Sequence, residues 1–372
     1  MNRPLPFLLV PLFAVVQTLS GQQAPTPPTA VRSPEVLQDG RVTFRLAAPN
    51  ATDVRLTCEC LGSPRALQKD DKGIWSVTVG PIVPDVYEYE FWMDGVQIVD
   101  PRNEKVKTNS RPSTISSLLE VPGTASMFYA VRPVPHGTVE VRWYASNAVN
   151  GVRRMHVYTP PGYERGSTRL PVLYLLHGAD GDDSGWTWFG RANQILDNLI
   201  ADKKIVPMVV VMPFGYAYPP AGGTASEKQR ADFEKDLLND IIPFVQANYR
   251  VVPDREHRAL VGLSMGGGQA LTIGLRHLDV FSRVAGFSAA VPRTADAFEA
   301  MVTDAKRVNG ALKLLWIGCG TEDSLFAPNK EFSERLKASG VVHTFRPSPG
   351  AHTWSVWRNY LLEIAPQLFP QT

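Results

Sequence analysis

The sequence "ALVGLSMGGGQAL", Ala259–Leu271, is the clearest indication of the fold class of this 372-residue chain. An apolar strand-like run is followed by an abrupt glycine-flanked serine and then by the start of a helix. The pentapeptide GLSMG fits the G-x-S-x-G pattern, in which a serine occupies a strained turn between a strand and a helix. Glycines before and after Ser264 leave room for such a turn and let the helix pack closely on the sheet. A phosphate-binding loop is the competing interpretation, but no Lys-Ser/Thr pair follows the glycines.

The residues on both sides of this stretch predict a parallel sheet. Apolar runs such as "PVLYLLHG", "MVVVMP", "RVAGFSA" and "KLLWIGCG" alternate with helical segments such as "GRANQILDNLIAD", "ADFEKDLLNDIIPFVQANY" and Thr353–Leu368. Continuous apolar strands separated by helices are typical of a doubly wound, mostly parallel sheet that is covered on both faces. We therefore predict an α/β domain over residues 126–372.

The N-terminal part of the chain predicts three further segments. Arg3, an apolar run and small residues at Ser20 and Gly21 are typical of a secretory signal peptide over 1–21, so we expect an exported protein. A membrane anchor is the alternative, but the apolar run is shorter than the roughly 20 residues of a span, and prolines interrupt it. A Pro/Thr/Ala-rich linker follows at 22–30. Residues 31–125 alternate apolar and polar side chains between turn signals, which predicts a small all-β immunoglobulin-like sandwich.

Composition and cysteine content exclude several classes of function. A net charge of +2 gives no broad basic surface for nucleic acid. The three cysteines argue against a disulfide framework, and a bridge between Cys58 and Cys60 on one strand face would be strained. We interpret both, and Cys319, as buried apolar side chains. No residue spacing predicts a metal site or a cofactor.

A serine nucleophile needs a base, and the base needs an acid that orients it. Among the seven histidines, His352 is the best base by placement, since it follows a strand and opens the last helix. His177 ends a strand but precedes the serine, and we assign it a structural role. Asp323, in the loop after "LKLLWIGCG", completes the order Ser…Asp…His of an α/β-hydrolase. Glu322 is the alternative acid.

The same placement predicts the oxyanion donors and the pocket. The backbone amide of Met265 and an amide of the loop at Gly178 and Ala179 are expected to stabilise the oxyanion. Several aromatic side chains fall in loops near the active edge and would suit an aromatic acyl group; the residues we expect to contact substrate are Trp186, Tyr216, Tyr218 and Trp354.

The motifs "VYTPPGYE", "LPVLYLLHG", "DREHRALVGLSMGGGQAL" and "GCGTEDSLF…GAHTWSVW" together resemble the feruloyl esterase family, carbohydrate esterase family 1. The resemblance runs from about residue 136 to the C-terminus. It implies a serine esterase that cleaves hydroxycinnamoyl or acetyl esters from xylan, with Ser264, Asp323 and His352 as its triad. An acetyl xylan esterase or a generalist short-acyl esterase is the first alternative, and a carbohydrate-binding protein without activity is the second.

The segment "DGRVTFRLAAPNATDVRL…GIWSVTVGPIVPDVYEYEFWMDG" resembles carbohydrate-binding module family 48. That family binds α-glucans through exposed aromatic side chains, which makes Trp75 and Trp92 the candidates. Large aromatic residues in small sandwiches usually pack in the core, and that alternative stays open for both.

Overall fold

The computed structural model describes residues 31–108, 115–179, 181–217, 226–302 and 304–370. The predicted signal peptide (1–21) and linker (22–30) lie outside the described residues. The N-terminal strands are β1 (Glu35–Val36), β2 (Val42–Ala47), β3 (Val54–Cys58), β4 (Arg65–Ala66), β5 (Gln68–Lys69), β6 (Ile74–Val79), β7 (Val86–Met93), β8 (Val96–Ile98), β9 (Val106–Thr108) and β10 (Ile115–Glu120).

These strands form two sheets with one core between them. One sheet has the order β1-β2-β6-β5, and the other has the order β4-β3-β7-β10-β9, with β8 paired to β7. Alternate side chains of β2, β3 and β7 point inward and make one buried cluster, which includes Phe44, Leu56, Tyr89 and Phe91. Phe44 and Tyr89 meet edge to face, with ring centroids 4.8 Å apart. The predicted all-β architecture of this part is confirmed.

The first two cysteines depart from the prediction, because Cys58 and Cys60 form a disulfide. Strand β3 ends at Cys58, and Glu59 and Cys60 form a turn, so the two cysteines do not share one face of a strand. Their Cα atoms are 5.1 Å apart, within the span that a disulfide bridges. The expectation of two free thiols was wrong because it continued the strand beyond its end at Cys58. Cys319 is a buried free thiol.

The C-terminal part is built on one sheet of mostly parallel strands. They are β11 (Thr138–Ser146), β12 (Gly151–Thr159), β13 (Val172–Leu176), β14 (Val209–Pro213), β15 (Arg258–Leu263), β16 (Arg283–Phe287), β17 (Leu314–Gly320) and β18 (Thr344–Ser348). Their order is β11-β12-β14-β13-β15-β16-β17-β18. Strand β12 pairs antiparallel with both neighbours, and every pair from β14 to β18 is parallel. The strands from β13 to β16 are buried throughout, as their continuous apolar sequence predicts.

Helices cover both faces of this sheet. They are α1 (Gly185–Trp188), α2 (Ala192–Ala201), α3 (Glu227–Asp236), α4 (Ile242–Asn248), α5 (Ser264–Arg276), α6 (Ala295–Glu299), α7 (Ala305–Ala311), α8 (Phe326–Ala338) and α9 (Trp354–Leu368). A π-helical turn, Leu237–Ile241, joins α3 to α4 within the segment predicted as one helix. Helices α6 and α7 agree with the expectation that Asp296 and Asp304 lie on or beside helices. The two apolar clusters on opposite faces confirm the doubly wound α/β fold. No helix in the described ranges is long and apolar enough to cross a membrane.

The N-terminal sheets dock on the C-terminal part through a buried ion pair. Arg358 of α9 has no solvent exposure and pairs with the Asp85 carboxylate at the start of β7. The same guanidinium donates to the Phe189 carbonyl oxygen at 2.7 Å and lies over the Tyr129 ring at 4.8 Å. The hydroxyl of Tyr129 donates to Asp85 at 2.9 Å. Apolar side chains of both parts belong to one buried cluster around this pair, so the interface is packed and not only polar.

Candidate active site

Ser264 lies in a strained turn at the carboxyl end of β15. It is the first residue of α5, and its φ of +52° falls in the left-handed region, which a residue with a side chain rarely adopts. A Cβ atom at Gly262 would lie 2.3 Å from the carbonyl oxygen of Gly266, and one at Gly266 would lie 2.3 Å from that of His177. Both positions therefore require glycine, and the turn has the strand–serine–helix form of a nucleophile elbow.

Three predicted residues meet in a hydrogen-bonded chain. His352 Nε2 is 3.0 Å from Ser264 Oγ, and His352 Nδ1 is 2.8 Å from Asp323 Oδ2. Because a carboxylate only accepts, Nδ1 carries the proton and Nε2 is left to accept from the serine hydroxyl. Asp323 follows β17, and His352 lies between β18 and α9, so the loops at one edge of the sheet bring them together. The alternative acid, Glu322, is exposed.

The Asp323 carboxylate is buried and held ionised by several donors. Burial alone would raise the pKa of Asp323, but hydrogen bonds from His352, the Ser288 hydroxyl and the Leu325 N–H outweigh it, and the pKa is lowered from its ordinary value of 3.8. The Leu325 N–H donates to Oδ1 at 2.8 Å. A carboxylate that stays charged can orient His352 and stabilise its protonated form.

Ser288 is a residue of this site that the sequence analysis missed. It is fully buried at the end of β16, has a φ of +44°, and accepts a hydrogen bond from Trp357 Nε1 at 3.1 Å. The Trp357 ring in turn meets the His352 ring edge to face, with centroids 4.9 Å apart. Ser288 thus connects the acid to the residue that supports the base. A lone serine after an apolar strand carries no motif, so only the packing reveals it.

The predicted oxyanion donors lie around the serine. The amide of Met265 belongs to the first turn of α5, where N–H groups have no acceptor within the helix. The loop after β13 passes directly against the elbow, since a Cβ atom at Gly178 would lie 3.1 Å from Ser264 Cβ. Gly178 and Ala179 line the same cavity as Ser264. The structure therefore brings all three predicted backbone positions to the serine.

His177 holds this loop in place. Its Nδ1 donates to the Gly178 carbonyl oxygen at 2.7 Å, and its Nε2 accepts from the Gly215 N–H at 2.8 Å. Burial lowers the pKa of His177, which keeps the ring neutral and able to do both. Both ring nitrogens of His177 are thus used by backbone groups, in agreement with the structural role assigned to this residue.

Ser264 and His352 open into a cavity of about 400 Å³ with two unlike walls. The C-terminal part contributes the aromatic side chains of Phe189, Trp354 and Trp357. The N-terminal sheets contribute six polar side chains, which we call the polar wall: Glu59, Glu88, Glu90, Gln97, Lys107 and Ser116. The sequence analysis missed the polar wall, because its residues come from several strands and a turn that only the folded chain brings to the serine.

The four predicted aromatic contacts have different outcomes. Trp354 lines the cavity as expected. Trp186 has no solvent exposure, donates to the Leu176 carbonyl oxygen and packs against Trp354 at 5.3 Å, so it supports the wall from behind. Tyr216 is 4% exposed and packs against His177. Direct contact of Trp186 or Tyr216 with substrate was the wrong expectation, since sequence does not distinguish lining from buried aromatic residues. Tyr218 lies outside the described residues.

The described residues contain no cluster of three or more His, Cys, Asp or Glu side chains that could hold a metal ion. The side chains and backbone at the cavity offer a serine hydroxyl, an imidazole, a buried carboxylate and N–H donors.

The sheet order and the serine elbow define an enzyme of the α/β-hydrolase fold. The family model with the description "Putative esterase" matches residues 146–368, and the chain belongs to this esterase family. An endo-1,4-beta-xylanase/feruloyl esterase of Xylanibacter ruminicola is 32% identical over 90% of this chain. The chain spans only 46% of that relative's length.

Two further similarities agree with this assignment. An acetyl esterase of Caldicellulosiruptor saccharolyticus is 26% identical over 52% of this chain and 82% of its own length. The solved structure of a ferulic acid esterase is similar with a TM-score of 0.58 at 27% identity, covering 63% of this chain and 97% of that chain. The predicted resemblance to feruloyl esterases is thereby confirmed at the level of the esterase family.

Proposed function

We propose that this protein is a serine esterase that hydrolyses hydroxycinnamoyl esters, such as feruloyl groups, on plant cell-wall arabinoxylan. The observation that carries the proposal is the chain of hydrogen bonds from Ser264 through His352 to Asp323, at 3.0 and 2.8 Å. These residues act as nucleophile, general base and orienting acid, and no cofactor is needed for the reaction.

The first half of the reaction forms an acyl-enzyme. Ser264 Oγ attacks the carbonyl carbon of the ester while His352 Nε2 takes the hydroxyl proton. The amides of Met265 and of the loop at Gly178 and Ala179 donate to the oxyanion that develops. His352 then gives the proton to the leaving alcohol oxygen, the carbon–oxygen bond breaks, and the acyl group stays on Ser264.

The second half returns the enzyme to its starting state. Water loses a proton to His352 Nε2 and attacks the acyl carbonyl carbon. The tetrahedral intermediate collapses, the carboxylic acid leaves, and His352 returns the proton to Ser264 Oγ. Asp323 stays ionised in both halves and stabilises the protonated imidazole each time it forms.

The aromatic wall of the cavity supports an aromatic acyl group. Trp354 packs edge to face with Trp357 at 5.3 Å and beside Phe189 at 5.9 Å, so the wall presents rigid rings to a bound hydroxycinnamoyl group. The names of the Xylanibacter relative and of the solved ferulic acid esterase favour the same acyl group.

Hydrolysis of acetyl groups from xylan is the second candidate, which the Caldicellulosiruptor relative favours. A generalist short-acyl esterase belongs to the same alternative. The deciding assay compares kcat/KM for ferulate release from methyl ferulate with that for acetate release from acetylated xylan. We expect the first to be larger; a larger value for acetate would reject the feruloyl preference.

The catalytic role of the serine is tested with Ser264→Ala. Removal of the nucleophile is expected to lower kcat by about 10⁴-fold or more while leaving the circular dichroism spectrum unchanged. An organophosphonate should label the wild-type protein once, at Ser264. Unchanged ester hydrolysis by Ser264→Ala would reject the mechanism, and an unlabelled, inactive wild-type protein would favour the carbohydrate-binding alternative.

Export of the protein is part of the proposal. The signal peptide over 1–21 would direct export, and sequencing of the mature N-terminus from a periplasmic or culture fraction tests this.

Glycan binding by the N-terminal sheets is a further part of the proposal. Trp92 on β7 is 38% exposed, whereas Trp75 is 8% exposed and donates to the Ala48 carbonyl oxygen. Trp92 is therefore the better contact, and Trp92→Ala should weaken retention on xylan or α-glucan gels.

A further inference from the structure

The polar wall comes from strands β7 to β10 and from the turn at Glu59, all of which lie outside the esterase family match at 146–368. Its residues share one cavity with Ser264 and His352, so an ester bound at the serine lies next to them. A cavity closed on one side by a separate pair of sheets can select substrates by what those sheets present. The question is which chemical group the polar wall fits.

Lys107, Glu88 and Glu59 hold one another in place through an ion pair and a hydrogen bond. Lys107 Nζ forms an ion pair with Glu88 Oε1, and both side chains are less than one-fifth exposed. Lys107 Nζ also lies 5.5 Å from the ring centroid of Phe189 on the opposite part of the chain. Glu59 Oε2 accepts from the Glu88 N–H at 3.0 Å. The donor and acceptor groups therefore have set positions before any ligand arrives.

Glu90 is oriented in the same way by hydroxyl donors. Thr57 Oγ1 donates to one of its carboxylate oxygens at 2.7 Å, and Ser116 Oγ donates to the other at 2.6 Å. Each carboxylate can accept about four hydrogen bonds, so capacity for a ligand remains on both oxygens. The pair Asp85–Arg358 fixes the sheets themselves against the C-terminal part.

We propose that the polar wall is a specificity subsite that binds hydroxyl groups of an uncharged ester substrate. This inference rests on the proposed esterase function and goes beyond it by assigning substrate selection to the N-terminal sheets. Carboxylates accept from O–H groups and Lys107 donates to hydroxyl oxygens, which is the mixture that a hydroxylated ligand needs. Three carboxylates against one ammonium group disfavour an anionic ester.

The carboxyl group of Glu59 can both donate and accept hydrogen bonds in the polar wall. Partial burial and, after it, the charge of Glu88 raise the pKa of Glu59, although the residue stays exposed to solvent; the Glu88 N–H, Lys107 and Arg358 act in the opposite direction. When protonated, its carboxyl group can donate to a hydroxyl oxygen, and when ionised it accepts from a hydroxyl. Sugar hydroxyls of the alcohol part and the phenolic hydroxyl of the acyl part offer the same chemistry.

The test uses the full-length protein and three substrates. Feruloylated arabino-oligosaccharide carries both kinds of hydroxyl, methyl ferulate carries only the phenolic one, and methyl 3,4-dimethoxycinnamate carries neither. We expect Glu59→Gln and Lys107→Gln to lower kcat/KM about tenfold or more for a substrate whose hydroxyl is bound, relative to the dimethoxy ester, because lost hydrogen bonds to charged groups have effects of this size. Loss on the oligosaccharide alone identifies sugar hydroxyls, and loss on methyl ferulate as well identifies the phenol.

Arg55→Gln is the matched control. Arg55 lies on β3 in an exposed pair with Asp53, does not line the cavity, and should leave all three values unchanged. The proposed subsite would be rejected if a variant with an unchanged unfolding temperature lost kcat/KM equally on all three substrates, or lost none on any of them. A variant that unfolds is replaced by Gln97→Ala, whose side chain also lines the cavity. Failure of the proposed function itself looks different, because the wild-type protein would then release no ferulate.

Discussion

Arg358→Met should destabilise the whole molecule, because it leaves a buried carboxylate without its cation. Arg358 is fully buried, the Asp85 side chain is 11% exposed, and the guanidinium also donates to the Phe189 carbonyl oxygen. Removal of one partner of a buried ion pair costs about 3–5 kcal/mol. At about 2.1 cal/mol/K of unfolding entropy per residue, a chain of this length loses roughly 1–2 °C per kcal/mol, so that cost corresponds to a fall in the unfolding temperature of about 3–10 °C.

A second substitution separates the lost pair from lost packing. In Asp85→Asn combined with Arg358→Met, no unpaired charge is buried, and the amide oxygen of the introduced asparagine still accepts from the Tyr129 hydroxyl and from the Val86 N–H. We therefore expect the double variant to recover at least half of the loss, since replacing a buried pair by uncharged residues is often close to neutral. Asp85→Asn alone should be destabilised, because it leaves Arg358 unpaired.

Differential scanning calorimetry on the wild type, the two single variants and the double variant measures the unfolding temperatures of this double-mutant cycle. The matched control is Arg346→Met, whose pair with Glu363 is exposed at both ends and whose loss should change the unfolding temperature by less than about 2 °C. Additive effects of the two substitutions, or a fall for Arg358→Met no larger than that of the control, would contradict this expectation. Either result would mean that the ion pair does not couple the N-terminal sheets to α9.

Three further predictions concern the catalytic cavity. Ser288→Ala removes a donor to Asp323 and leaves the Trp357 N–H unsatisfied. We expect kcat to fall about tenfold with little change in KM, and the pKa of Asp323 to rise in the acid limb of the pH–stability profile, because Ser288 positions Asp323. Unchanged kinetics would exclude this positioning role. The pKa of Asp323 is lowered on folding, so its contribution to stability is present above its unfolded pKa of about 3.8 and is lost as pH falls through the folded value. The unfolding temperature of Asp323→Asn should therefore fall less over that acid range, and a wild-type-like slope would contradict this. Trp354→Ala should raise KM for methyl ferulate about 2- to 10-fold more than for p-nitrophenyl acetate, and equal changes would show that its ring does not contact the acyl group.

The elements that could be predicted are those that local sequence specifies. The apolar strand before Ser264, the glycines that the turn requires and the order Ser…Asp…His all lie in short stretches of chain. Parallel strands then force the loops that carry Asp323 and His352 to one edge of the sheet. This is why Ser264, Asp323 and His352 could be expected to meet at one site before the fold was known.

The features that were missed depend on packing between distant segments. Ser288 joins the site only because β16 lies beside β17 and under α9. Trp186 looked like a pocket residue, yet it is buried behind Trp354, since an aromatic loop residue has the same sequence pattern in either place. The polar wall needed the docking of two sheets on the C-terminal part, which no periodicity in the sequence encodes.

The disulfide at the end of β3 has a practical meaning for work on this protein. Cys58 and Cys60 flank Glu59 on either side, so the covalent link closes the very turn that carries one residue of the polar wall. Protein produced in a reducing cytosol and protein produced in an oxidising compartment then differ at the edge of the catalytic cavity while sharing the same serine, histidine and aspartate. The thiol state of a preparation is thus a variable of every substrate comparison, alongside its pH and salt.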